Sequence, residues 1–115
     1  YLRLQEKPIE LLDNLNRKER CIAFLTVFEL LKGCSNKEQE TRINHFVKKF
    51  SIIDLNTDVS KIALQIYRVK RWTIGLGIAD SLIAATAIKH KYELVTRNIK
   101  HYQSIEGLKL KTPYY

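Results

Sequence analysis

The sequence predicts an α/β fold, a parallel sheet covered by helices on both faces. Three observations predict it. Short apolar runs alternate with longer segments of helical periodicity along the chain. The 115 residues fit one domain, with 45% hydrophobic and 28% charged residues, the balance of a soluble globular protein. Only four Gly and two Pro punctuate the chain, and no repeat, low-complexity tract or linker interrupts it. Strand–helix alternation of this kind builds a sheet with helices on either side.

The elements follow in order. Ile9, Leu12 and Leu15 in "PIELLDNLNRKE" share one face of a short amphipathic helix. The run "CIAFL", residues 21–25, reads as a buried strand. Thr26 then opens a helix that ends near Gly33. Asn36 is placed to cap the next helix, in which Ile43, Phe46, Val47 and Phe50 form an apolar stripe. "SIIDL", residues 51–55, reads as a second strand. Thr57 and Asp58 start a helix that buries Val59, Ile62, Ala63, Ile66 and Val69. "TIGLG" is a loop. Ile78 to about Lys91 is the most apolar helix, and its alanines allow close packing. "YELVT", residues 92–96, is a third strand, and Asn98 caps a short helix to Ser104. "LKLKT", residues 108–112, reads as an edge strand, because Lys109 and Lys111 alternate with leucines and discourage strand addition.

Charge narrows the classes of partner. The net charge is +8, and residues 58–115 hold ten Lys/Arg against four Asp/Glu. Between Asp58 and Asp80 stand Lys61, Arg68, Lys70 and Arg71 and no acid. Such a field favours a polyanion, nucleic acid before an anionic membrane; the alternative is a solvated surface that aids solubility. No apolar run approaches the ~20 residues of a transmembrane helix, and no signal peptide is visible. Cys21 and Cys34 are the only cysteines, too few for a disulfide framework or a thiolate-rich zinc site. They read as reduced thiols of a cytoplasmic protein. The chain begins at Tyr1 and contains no methionine, so a preceding segment is expected.

In a parallel sheet, sites form beyond the carboxyl ends of the strands. Three polar positions fall there: Glu29 after the first strand, Asp80 heading the apolar helix, and Thr96 to Asn98 after the third. Converging, they would make an oxygen-rich cleft suited to a hard dication, Mg²⁺ or Mn²⁺, held by carboxylates and water. Such an ion activates water and stabilises a displaced phosphate oxygen. Each residue also has a structural reading. Thr26-x-x-Glu29 fits a capping box, Asp80 complements the helix dipole, and Asn98 fits an N-cap. Trp72, beside Lys70 and Arg71, suits base stacking or a cover for the core edge. His45, His90 and His101 have no zinc spacing and read as surface histidines. "GLG" at 75–77 is too short a signal for a phosphate loop.

"LTVFELLKG" followed by "IADSLIAATAIKHKYELVTRNIKHYQSIEGLKL" resembles the PIN domain, and within it the VapC-type ribonuclease toxins. The later block is the more specific, and the resemblance covers nearly the whole chain. It implies a three-layer α/β/α sandwich with a central parallel sheet, as one PIN-like domain over residues 1–115. It implies an Mg²⁺- or Mn²⁺-dependent ribonuclease that acts on RNA, pairs with an antitoxin and forms a homodimer. Glu29 and Asp80 match the family's second and third acidic positions, as metal ligands. Thr96 and Asn98 match the polar residues that support the metal and its waters. Arg97, Lys70 and Arg71 are candidates for RNA phosphates.

Two departures accompany the resemblance. The family's first acid lies on a first, central strand of the type "DTxVLI", and that segment is absent before Tyr1. The domain is therefore expected to be N-terminally incomplete, its neighbouring strands lacking a backbone partner. After "TRNIK", where the family often has Asp, stands His101; a neutral imidazole is a poor Mg²⁺ ligand, so it is not assigned to the metal. A catalytically silent PIN-like module that binds RNA or protein is the rival reading. A helical DNA-binding protein also fits the charge, but no basic recognition helix stands out.

Overall fold

The computed structural model describes residues 21–96 and 98–111. The expected helix around Ile9–Leu15, the residue Arg97 and the chain from Thr112 onward lie outside the described residues.

Strand β1 (Cys21–Ala23) is buried at all three positions and passes directly into helix α1 (Phe24–Lys32). The strand is thus two residues shorter than "CIAFL" implies. Apolar character runs across the strand–helix boundary, so polarity does not mark it. The N-cap of α1 is Ala23, which has no capping side chain, and Thr26 lies buried within the first turn. The capping box between Thr26 and Glu29 is therefore not formed. Phe24 and Phe28, one turn apart, meet edge to face at 5.2 Å on the outer flank of α1. Gly33 closes the helix as expected, its N–H donating to Glu29 O.

Helix α2 (Lys37–Val47) starts as the sequence indicates: the Asn36 side chain accepts from Gln39 N–H at 2.9 Å, and Gln39 Oε1 accepts from Ser35 N–H. These bonds satisfy amides that the first turn leaves open. Its stripe continues past the helix end, where Phe50 is buried against Phe46 at a ring distance of 5.0 Å. Strand β2 (Ser51–Ile53) then pairs parallel to β1, with Cys21 opposite Ser51 and Ala23 opposite Ile53.

Asn56 caps helix α3 (Thr57–Thr73) by accepting from Val59 N–H. Val59 and Ala63 are buried, as their spacing predicts. Val69, expected to be buried with them, is 58% exposed. Leu76 takes the core position at that end instead: it folds back beneath α3 with its N–H directed at Lys70 O, and only 1% of it is exposed.

Helix α4 (Ile78–His90) is the buried centre, covered along Ser81 and Ile83–Ala87. Its interior hydroxyls donate within the helix, Ser81 to Gly77 O and Thr86 to Leu82 O, so their burial leaves no unpaired donor. The Lys89–Asp58 ion pair at 3.0 Å ties the end of α4 to the start of α3, so the two helices form an antiparallel hairpin. Lys91 ends α4 in the left-handed region at φ 58°, and Tyr92 N–H donates to Ala87 O at 2.9 Å. Strand β3 (Glu93–Val95), helix α5 (Ile99–Tyr102) and strand β4 (Lys109–Lys111) complete the described elements, with β4 parallel to β3.

All pairing is parallel, as expected, and it falls into two pairs, β1–β2 and β3–β4. Ala23 and Leu94 share the main core cluster, and Ile22 packs with Val95 and Phe50 in a second. The two pairs therefore meet through side chains, while no strand ladder among the described residues joins β1 to β3. The central first strand that the resemblance calls for is not among the described elements. No described helix is long and apolar enough to cross a membrane.

Candidate active site

Chain geometry explains why Asp80 meets the polar turn after β3. From Asp80 to His90 the helix advances about 15 Å at ~1.5 Å per residue. Only Lys91 and Tyr92 separate α4 from β3. From Tyr92 to Thr96 an extended chain returns about 13 Å at ~3.3 Å per residue. The return stroke nearly matches the outward one, so α5 starts level with the head of α4.

There α5 closes on Asp80. Tyr102 Oη donates to Asp80 Oδ1 at 2.9 Å, and His101 Nε2 lies 2.8 Å from Asp80 Oδ2. An ionised carboxylate can only accept, so His101 Nε2 carries the proton in this contact. Tyr102 is fully buried, whereas the Asp80 and His101 side chains are 16% and 41% exposed. The carboxylate is thus held from beneath and open at one edge. Asp80 does stand in the first turn of α4, where a negative charge suits the helix dipole. That function does not require two further side chains to grip it.

Thr96 is buried, and its Oγ1 accepts from Asn98 N–H at 3.1 Å, which shapes the turn into α5. Asn98 occupies the N-cap position of α5 as expected, but its side chain makes no capping bond and is exposed. Arg97 lies outside the described residues.

Glu29 approaches from α1. It lines a cavity of about 770 Å³ together with Thr26, Leu30, Ile43 and Ala79, the residue before Asp80. Glu29 Oε1 is buried there. Carboxylate oxygens from Glu29 and Asp80, with an amide oxygen from Asn98, are donors that suit a hard dication. Among the described residues no three His, Cys, Asp or Glu side chains gather closely enough to enclose a metal. The donors therefore fit Mg²⁺ or Mn²⁺ in kind, in the mode that keeps several waters beside one or two carboxylates.

Two sequence readings change here, and one residue had none. His101, read as a surface histidine, is part of the Asp80 cluster. Tyr102 was not singled out at all. Its signal was a phenol inside a buried short helix, which needs a polar partner. Trp72 does not cover the core edge, since 79% of it is exposed. Cys21 is buried and Cys34 half-buried.

This combination of parallel strand pairs, a buried helix headed by an acid, and a second acid on the helix that follows the first described strand is that of a PIN domain. The PIN-domain family model matches residues 1–105, and the chain belongs to that family. Among relatives, Ribonuclease VapC1 of Methanocaldococcus jannaschii is 33% identical over 91 residues, covering 78% of this chain and 67% of that protein. The chain thus spans about two thirds of that relative's length. A toxin–antitoxin complex from Klebsiella pneumoniae contains a chain 31% identical, with a TM-score of 0.67, covering 84% of this chain and 76% of that one. VapBC-1 from nontypeable Haemophilus influenzae shares the fold at a TM-score of 0.78 and 22% identity, over 94% of this chain and 85% of that one.

Proposed function

We propose that this chain is the PIN domain of a metal-dependent endoribonuclease, the toxin of a toxin–antitoxin pair. The observation that carries the reading is the Asp80 carboxylate, set at the cleft by α4 and gripped by His101 and Tyr102. Kinship with VapC1 and with a chain of a toxin–antitoxin complex supports it.

In this reading Asp80 and Glu29 would hold one Mg²⁺ or Mn²⁺. When bound, the ion supplies Lewis-acid stabilisation of the phosphate and activation of water. The chain's own residues do the positioning. Tyr102 fixes the rotamer of Asp80 by its bond to Oδ1. His101 holds Oδ2, the oxygen it would share with a bound cation. Thr96 holds the turn, and Asn98 orients the attacking water. Arg97, Lys70 and Arg71 receive the RNA phosphates. An acidic or amphipathic antitoxin segment would complement the basic surface beside the cleft, and a homodimer is the expected assembly in the cytoplasm. Residues 1–115 form one such domain.

A silent RNA- or protein-binding module is favoured by one observation: His101 occupies an oxygen of Asp80 where the family often places another acid. RNA cleavage by the gene-encoded protein separates the two. Cleavage that requires Mg²⁺ or Mn²⁺, stops with EDTA and disappears in Asp80→Ala supports the nuclease. RNA binding without cleavage, equal in the two proteins, establishes the silent module.

A further inference from the structure

We propose that Trp72, with Arg71 and Tyr67, forms a stacking platform for an unpaired RNA base at the end of the α3–α4 hairpin where Asp80 also lies. The proposal rests on the reading of RNA as the substrate and assigns where part of it is held.

The platform is unlike an ordinary exposed apolar residue. Trp72 is the sole tryptophan and is 79% exposed at the end of α3. The Arg71 guanidinium carbon lies 4.6 Å from the centre of the Trp72 ring and 5.3 Å from that of Tyr67. One cation therefore covers one side of the indole and braces it, at the distance of a cation–π contact. With so much of the ring in solvent, the side away from Arg71 is open to another flat group. A nucleobase suits such a surface, because every base has a π face and the adjacent cation strengthens stacking.

Charge and location agree. Arg68, Lys70 and Arg71 precede Trp72 along the last turns of α3, and no ion pair among the described residues engages them. A base on Trp72 would carry its phosphates into that field. The antiparallel hairpin of α3 and α4 puts the end of α3 beside the start of α4, and Leu76 N–H reaches back to Lys70 O at 3.4 Å. Asp80 stands one turn further on. The platform and the acidic cleft thus occupy the same end of the hairpin. Duplex bases are already stacked and present only their edges, so the ligand class is RNA with unpaired bases.

Tryptophan emission reads this contact directly and without turnover. In EDTA, titration of the protein with an unstructured RNA oligonucleotide is expected to quench Trp72, and a matched RNA duplex is expected to quench it far less. Trp72→Phe identifies the part of the signal that Trp72 contributes. By anisotropy of labelled RNA, Trp72→Ala is expected to bind about tenfold more weakly or worse, while Trp72→Phe stays within about threefold of the parent. Trp72 is exposed, so both variants should fold, which far-UV circular dichroism verifies. RNA binding that leaves Trp72 emission unchanged and is equal in Trp72→Ala overturns the platform and leaves the RNA reading standing. No RNA binding by any variant in either assay overturns both. An unchanged RNA affinity in Trp72→Ala with an altered sedimentation coefficient makes the indole a protein contact, which also overturns it.

Discussion

Asp80 and Glu29 are both carboxylates on helices of this domain, yet they are built differently. Asp80 stands at the head of α4, and two side chains from an element 21 and 22 residues later grip its oxygens. Glu29 lies well inside α1, lining a cavity with apolar neighbours, after a strand that leaves no capping work for it. The difference teaches that a carboxylate can line a cavity from within a helix or sit in a cluster that joins two elements. The cluster fixes the Asp80 rotamer before any ligand arrives, which is what catalysis by preorganised charge requires.

Substitution sharpens the comparison, beginning with the largest effect. Asp80→Asn keeps an acceptor for Tyr102 but removes the charge. Cleavage should fall at least about a hundredfold, since a bound dication supplies several kcal/mol of charge stabilisation. Glu29→Gln should fall comparably if both acids share one ion. Full activity in Glu29→Gln with inactive Asp80→Asn would break the pairing and leave Glu29 as cavity lining. Initial rates on one RNA, compared at equal protein, decide this.

Tyr102→Phe comes next. It deletes one hydrogen bond in a buried setting, so urea unfolding should show a loss of about 1–2 kcal/mol. Activity should drop about tenfold or more through the freed Asp80 rotamer, with the loss in kcat. Full activity in a destabilised variant would make the bond purely structural.

His101→Asp tests the other oxygen. It places a third carboxylate near the cleft, so calorimetry should show Mg²⁺ binding about tenfold tighter than in the parent. Unchanged affinity would mean that the cation does not use the Oδ2 edge.

The smallest expected effect is a control that touches neither acid. Lys91 adopts φ 58°, which glycine takes without steric cost. Lys91→Gly should gain up to about 1 kcal/mol in urea unfolding at unchanged cleavage. A loss of activity would show that the end of α4 communicates with its head.

Much of this architecture was legible in the sequence. Asn36, Gly33 and the stripes of α2 and α3 follow from local chemistry, because caps and periodicity act over a few residues. The two candidate acids came from resemblance, as "LTVFELLKG" and "IADSLIAATA" carry Glu29 and Asp80. The strand end at Ala23 was not, because the apolar run continues into α1. Val69 was misread because Leu76, in the loop beyond, competes for the same core. The grip of His101 and Tyr102 on Asp80 spans some twenty residues, and periodicity carries no information at that range.

The two-residue link at Lys91 and Tyr92 has a consequence for how this chain can change length. One residue added there would lengthen the return stroke by about 3 Å. It would also turn every side chain of β3 to the opposite face, taking Leu94 out of the core. The turns at 33–36 and 54–56 carry no such constraint, because they set the register of no side chain that touches Asp80. Insertions should therefore be tolerated at those turns and lethal to the fold at 91–92, so the link works as a measuring rule between helix and strand.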